Sequence, residues 1–420
     1  MKRVLTILLA TFAATHLFAQ QEKGSETGWS FSPMPIGSYN SDLGLSIGAY
    51  SSIFYYGDGT DYPNFIHQFF VTGAWATKGS WFLHGMFDSS ALIPGVRVTA
   101  SLTFRDVSAN NFYGFNGIAS PFDPMLELNR DTRTAYYTNS RNVLKAAAVF
   151  QSKGKGKVNW MGGLVFRRIR LKDFTLSNYD SGNSLYLAYQ EAGLIRSDEA
   201  GGGNSLELKA GATYDSRDVE IFPGKGLYGE LYLNGNFDLS YGKYHYLQLA
   251  GQFCHFVPIV FNRLTLAYHL GFQHQLLGEM PFYNLSELST LRYQIEEYEG
   301  LGSRNSIRGF RYNRILAAGY AWSNIELRAT VLDFRLFKQD VALVVVPFVD
   351  LGVITRHYRL EEQKSLPGFY QQKDLPLMAS VGIGGKLHIN TNTILSVDFG
   401  KALDPQLGFF TISTASTYIF

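Results

Sequence analysis

Side chains able to do chemistry are plentiful in this sequence, but few are spaced for it. Ser, His and Asp occur throughout without a spacing that fixes a nucleophile beside a base, and barrel enzymes assemble such sites from different strands. Cys254 is the single cysteine, which excludes an internal disulfide framework and any cysteine-cluster metal site. It reads as a packed strand residue. His245 and His255 also read as strand residues rather than ligands, so neither a metal nor a cofactor is implied. No Rossmann-type or phosphate-loop glycine pattern occurs in strand-helix context. What stands out is cationic: Arg304, Arg308, Arg311 and Arg314 crowd one segment. A planar guanidinium binds two carboxylates at once through paired, charge-assisted hydrogen bonds. Gly309, next to Arg308, lets the backbone turn where a Cβ would clash. The competing reading is a solvated basic loop. The chemistry on offer is electrostatic anchoring, and an enzyme is not expected.

The elements that must hold such an anchor follow from composition. The chain opens with Lys2 and Arg3, an apolar or small run of 11 residues from Val4 to Ala14, then Leu17-Phe18-Ala19 ahead of Gln20-Gln21-Glu22-Lys23. This is a secretory leader with cleavage after Ala19; the run falls short of the roughly 20 residues a spanning helix needs. No Cys follows the cut, so nothing invites lipid attachment. Residues 1–19 are assigned to a signal peptide and 20–28 to a short periplasmic segment. Losing Lys2 and Arg3 leaves 35 basic against 35 acidic residues, and a neutral chain gives no electrostatic case for nucleic acid. Beyond the leader no stretch of about 18 apolar residues occurs, so membrane insertion must be by strands. With 42 Gly, 26 Tyr, 32 Phe and only 17% charged residues, the composition suits strands that meet lipid on one face and a polar lumen on the other. A soluble sandwich shares that composition, so periodicity decides.

Strands of the membrane kind alternate with period two for about ten residues. From Arg263 to Gln275 one parity reads Leu264, Leu266, Tyr268, Leu270, Phe272, and the other Arg263, Thr265, Ala267, His269, Gly271, Gln273, Gln275. From Leu227 to Leu239 the polar parity holds Tyr228, Glu230, Tyr232, Asn234, Asn236 and Asp238. The same reading marks strands over 29–39, 43–56, 64–78, 80–90, 96–108, 141–153, 157–172, 204–215, 226–239, 244–258, 262–277, 319–335, 341–356, 376–389, 393–403 and 407–420. That is sixteen, the even number that puts both ends of a barrel in the periplasm. The four longest connections, 109–140, 173–203, 278–318 and 357–375, all follow odd-numbered strands and so fall outside. Even-to-odd connections are short and turn-like, as at Gly154-Lys155-Gly156 and Asn390-Thr391-Asn392. Residues 29–420 thus read as barrel, with no room for a periplasmic domain.

The loop after the eleventh strand contains Met280-Pro281-Phe282-Tyr283, then Gly300-Leu301-Gly302-Ser303-Arg304-Asn305-Ser306-Ile307-Arg308-Gly309-Phe310, and leads into Asn324-Ile325-Glu326-Leu327-Arg328. With Tyr214-Asp215-Ser216-Arg217-Asp218, Phe222-Pro223-Gly224-Lys225-Gly226, Phe348-Val349-Asp350-Leu351-Gly352 and Ser380-Val381-Gly382-Ile383-Gly384, it resembles the outer-membrane assembly-factor family typified by BamA and TamA, also called the bacterial surface antigen family. The similarity is clear from Tyr214 onward and faint before it. The family's hallmark is a Val/Ile-Arg-Gly-Phe/Tyr tetrapeptide in the sixth extracellular loop, here Ile307-Arg308-Gly309-Phe310. The resemblance implies an all-β fold, a 16-stranded antiparallel transmembrane β-barrel whose sixth extracellular loop folds into the lumen. There Arg308 would pair with carboxylates on the twelfth and thirteenth strands, Glu326 and Asp350. Alternation is consistent with this independently. On the twelfth strand Ile325, Leu327, Ala329 and Val331 form the apolar parity, leaving Asn324, Glu326 and Arg328 inward. On the thirteenth, Val341, Leu343, Val345, Val349 and Leu351 face lipid, leaving Asp350 inward. Such a bond in a wet lumen is worth about 1.5 to 3 kcal/mol, enough to pin a loop. Glu296, Glu297 and Glu299 read as a solvated loop face.

The last strand carries Phe410, Ile412, Thr414, Ser416, Tyr418 and Phe420 on one parity. Tyr418 and Phe420 resemble the signal by which barrel-assembly machinery recognises its clients; the plainer reading is an aromatic girdle. Closure pairs this strand with the first, where Pro33 and Pro35 lie on one side and each lack a backbone donor. An incomplete seam is expected, which in the resembled family is a lateral gate. The resemblance implies a role in outer-membrane protein insertion, translocation or envelope biogenesis. The barrel would sit in bacterial outer-membrane lipid, with a periplasmic or outer-membrane partner protein replacing the polypeptide-transport-associated domains through which full-length relatives receive clients. The alternative is a passive pore or structural barrel. Co-purification with envelope proteins favours the first, partner-free ion conductance the second.

Overall fold

The two-sided pattern inverts the ordinary rule of apolar inside and polar outside. In the strand Gly226–Asp238, Leu231, Leu233 and Phe237 are 42 to 52% exposed, while Glu230, Tyr232, Asn234, Asn236 and Asp238 are buried. Leaving those apolar side chains in water would forfeit about 1.5 to 3 kcal/mol each. The pattern is stable only where the exposed face meets hydrocarbon. Among the described residues no helix is long and apolar enough to cross a membrane.

The computed structural model describes residues 27–40, 44–60, 62, 65–77, 79–128, 134–154, 156–175, 182–219, 222–261, 263–288, 300–302, 305–336, 339–373, 377–389, 393–415 and 420. The expected leader, the Glu296-to-Glu299 run and Tyr418 lie outside them. The strands are β1 (Trp29–Asn40), β2 (Gly44–Tyr55), β3 (His67–Ala76), β4 (Trp81–Ile93), β5 (Val96–Asn111), β6 (Thr138–Ser152), β7 (Val158–Asp173) and β8 (Asn204–Asp215). They continue as β9 (Gly226–Asp238), β10 (Tyr246–Val260), β11 (Leu264–Gly278), β12 (Gly319–Leu336), β13 (Gln339–Arg356), β14 (Met378–Ile389), β15 (Thr393–Ala402) and β16 (Thr411–Ala415). Each pairs antiparallel with the next, in a single 16-stranded sheet ordered β1 to β16. The sheet curls: the buried faces of β6 and β7 and those of β12, β13 and β15 all reach the one connection that joins β11 to β12.

Two departures from the sequence reading have physical causes. The final strand, expected from Leu407, begins at Thr411, because residues 403–410 are held as a turn: Leu407 is fully buried and its carbonyl accepts from the Arg311 backbone N–H at 2.8 Å. The long connections are not simple loops either. Those after β5, β7, β11 and β13, which lie at one end of the sheet, pack into a shared aromatic layer. Tyr189, on the short helix α1 (Leu185–Glu191), meets Phe112 and Phe115 edge-on at 5.3 and 5.1 Å, and Phe115 meets Tyr358 at 4.9 Å. Ser184 caps α1 by accepting from the Leu187 N–H. Burial pushes the Tyr189 phenol up to about 12, and its hydroxyl lies 2.8 Å from Ser120 Oγ.

Candidate functional site

The connection from β11 to β12 brings Arg308 against the buried face of the sheet. Glu326 on β12 and Asp350 on β13 share that face, because Asn324 pairs directly with Asp350 and Glu326 with Phe348 across the ladder. Arg308 donates from its backbone N–H and from Nε to Asp350 Oδ2 at 3.0 and 2.8 Å, and from Nη2 to Oδ1 at 2.8 Å. Its Nη1 reaches Glu326 Oε1 at 2.8 Å and lies 3.7 Å from Asp398 Oδ1 on β15. The guanidinium carbon sits 3.4 Å from the ring centre of Phe348. Arg308 is 2% exposed and both carboxylate residues 0%. The surroundings are therefore much drier than the wet lumen the sequence suggested. Two more cations complete the set. Arg328 Nε donates to Glu326 Oε2 at 2.9 Å, and Lys386 to both oxygens of Asp398 at 3.0 Å. Three cations thus face three carboxylates in one buried cluster.

The glycines of the singled-out motifs make room for this cluster. A Cβ on Gly352 would run into Ile307, one on Gly382 into the Phe348 ring, and one on Gly384 into Asp398 Oδ1. Phe348, Asp350 and Gly352 all lie on the buried parity of β13, so one motif supplies the stacking ring, the carboxylate and the clearance. Gly309 has φ of 93°, and a Cβ there would come within 2.8 Å of the Lys401 backbone. Ile307 and Phe310 are 0 and 1% exposed and share an apolar cluster with Leu301, Ile315, Trp322 and Leu407. Phe222, from the turn between β8 and β9, packs edge-on against His388 with ring centres 3.8 Å apart, near Arg328.

Sequence reasoning missed a second anchorage on the same connection. Glu287 accepts from Arg141 Nη2 on β6 at 2.5 Å and pairs with Arg167 Nε on β7 at 3.2 Å. Arg141 also donates to Ser286 Oγ at 2.9 Å and to the Tyr283 carbonyl at 3.1 Å. Arg141 shares the buried parity of β6 with Asn139 and Lys145, which was a usable signal, but Arg167 lies on a parity of β7 that it shares with Met161, Val165, Ile169 and Leu171, where alternation gave none. Asp398 was likewise unassigned, although it follows the same parity rule.

The remaining expected residues are placed as follows. Pro33 and Pro35 are exposed, and the β1–β2 ladder runs across both without a register shift. A proline keeps a ladder intact only where its nitrogen points away from the partner, so both nitrogens face away from β2. Phe420 shares parity with the exposed Phe410 and Ile412, yet it is only 3% exposed. Its ring stacks on His269 at 5.2 Å and lies under the Arg328 guanidinium at 4.9 Å. An aromatic girdle does not describe that position. Among the described residues no group of three or more His, Cys, Asp or Glu side chains is arranged to hold a metal ion; the carboxylates of the cluster are already paired with cations.

An antiparallel 16-stranded sheet with an apolar exposed face and a charged buried face, tied by an arginine on the β11–β12 connection, is the architecture of outer-membrane β-barrel proteins. The Omp85 superfamily domain matches residues 74–404, and the chain belongs to that family of outer-membrane β-barrel proteins. Among solved structures it is similar to BamA from Haemophilus ducreyi lacking POTRA domains 1-3, with a TM-score of 0.55 at 16% identity, over 93% of this chain and 71% of that one. CdiB from Escherichia coli gives a TM-score of 0.53 at 13% identity, over 94% and 62%. CdiB from Acinetobacter baumannii gives 0.52 at 10%, over 93% and 59%. The chain thus spans less than two thirds of either CdiB chain, and at these identities the likeness is one of fold. No curated protein sequence matches the chain.

Proposed function

We propose that this chain is the barrel of an envelope-biogenesis factor that inserts or translocates polypeptide at the junction of β1 and β16, in the bacterial outer membrane and together with a partner protein. The observation that carries the reading is the pair of prolines, Pro33 and Pro35, on the edge of β1 that faces away from β2. The strand order runs from β1 to β16 with no ladder joining the two among the described residues, and the donors that edge would need at positions 33 and 35 are missing. An edge missing two donors pairs weakly with its own last strand and is open to a strand from another chain. In this reading the leader directs export, and the β11–β12 connection lies in the lumen with Arg308 as its anchor on Glu326 and Asp350. Tyr418 and Phe420 mark the chain as itself a client of barrel-assembly machinery. Family membership supports insertion or translocation over catalysis. The aromatic layer over one end of the sheet argues against a passive pore, since it fills that end with packed side chains.

The deciding experiment is depletion of the protein followed by quantitative profiling of the outer-membrane proteome. A fall in other barrel or surface proteins is expected. An unchanged proteome would remove the reading.

A further inference from the structure

The tip that carries Arg308 reaches past the wall to which it is anchored. The Gly309 N–H donates to Thr411 Oγ1 at 2.9 Å, and Thr411 is the first residue of β16. The Arg311 N–H donates to the Leu407 carbonyl at 2.8 Å, Arg311 Nη1 to the Pro405 carbonyl at 3.0 Å and Arg314 Nε to the Gln406 carbonyl at 2.8 Å. Backbone also lies on backbone. A Cβ on Gly408 would run into the Gly309 carbonyl oxygen, and one on Gly400 would come 2.7 Å from the Gly309 nitrogen. Arg314 continues into the aromatic layer, donating to the Gly117 carbonyl at 2.7 Å. Among the described residues the β15–β16 ladder joins Ser396–Gly400 to Thr411–Ala415, so the contacts of the tip fall at the Thr411 end of that ladder. The tip therefore holds the first turn of β16 in addition to the pairing with β15.

We propose that the tip of the β11–β12 connection is the latch of β16. Arg308 fixes the tip to β12, β13 and β15, and Gly309, Arg311 and Arg314 hold the β15–β16 turn and Thr411. Withdrawal of the tip frees β16 from its Thr411 end while β1 to β14 stay paired. The functional meaning of the latch rests on the seam reading above; the latch itself does not, and it can be measured without any client.

The test is hydrogen exchange with mass spectrometry on the full chain in detergent and in lipid. Thr411→Val keeps shape and removes the acceptor for Gly309. Gly408→Ala puts a methyl where the Gly309 carbonyl lies. Each is expected to raise amide exchange in residues 411–415 about tenfold, the effect of one lost hydrogen bond of about 1.4 kcal/mol, while β2 to β13 keep wild-type protection and the barrel stays heat-modifiable. If Gly408→Ala fails to fold, Thr411→Val carries the test alone. Unchanged exchange in 411–415, or faster exchange spread evenly over all strands, would overturn the latch. Complementation of the depleted strain is scored in parallel. Faster exchange with full complementation supports the latch and counts against the seam function; unchanged exchange with lost complementation rejects the latch and leaves the seam function standing.

Discussion

At the scale of single residues, Arg308 is the group whose loss costs most. Its removal strands the fully buried Asp350 without its cation and takes from the fully buried Glu326 one of its two guanidinium partners, leaving Arg328. Breaking a buried pair from one side typically costs about 3 to 5 kcal/mol. Arg308→Ala is therefore expected to lower the unfolding temperature while leaving a membrane-inserted, heat-modifiable barrel, as checked by a heated-gel assay across temperature. Arg308→Lys restores the charge but not the fork that binds Asp350 at two oxygens or the flat face against Phe348. It should recover less than half of the loss. Loss of the folded barrel itself in either variant would mean that the arginine holds more than a connection.

At the scale of elements, legibility followed periodicity. β9 and β11 were readable because polar and apolar side chains alternate along them, the polar parity being the more buried one. The inward placement of Glu326 and Asp350 followed from the same rule. The sequence could not reveal which inward charge meets which, because Glu287 lies on a connection with no period and its partners Arg141 and Arg167 sit more than a hundred positions upstream. The aromatic layer was illegible for a related reason: nearly all its rings come from four connections, with Tyr246 added from β10, and only the curl of the sheet brings them together. The glycine motifs were visible as matches, but their purpose depended on which side chain fills each gap. Two expectations belong at this scale. Arg141→Glu should expose the β11–β12 connection to limited proteolysis, and adding Glu287→Arg should restore at least part of the protection by reversing the pair; no rescue would show that Arg141 acts through Tyr283 and Ser286 instead. Gly352→Val should displace Ile307 and raise cleavage of the same connection, without disturbing the β12–β13 ladder as judged by amide exchange.

At the scale of the whole molecule, one connection touches opposite parts of the sheet. Glu287 holds it to β6 and β7, and Arg308 holds it to β12, β13 and β15. A tie of this kind resists widening of the sheet, so purified wild-type protein should show low, steady conductance in planar bilayers. The combined variant Arg308→Ala with Glu287→Gln should show larger and noisier steps. Equal conductance of the two proteins would mean that the aromatic layer alone closes the path.

The balance of charge in the buried cluster has a last consequence. When the tip withdraws, Arg328 and Lys386 remain on the wall with Glu326, Asp350 and Asp398. The wall then carries one uncompensated negative charge in surroundings that screen it poorly. Such a vacancy pulls its own arginine home like a spring, and any other chain that would hold the connection out must offer a cation in its place.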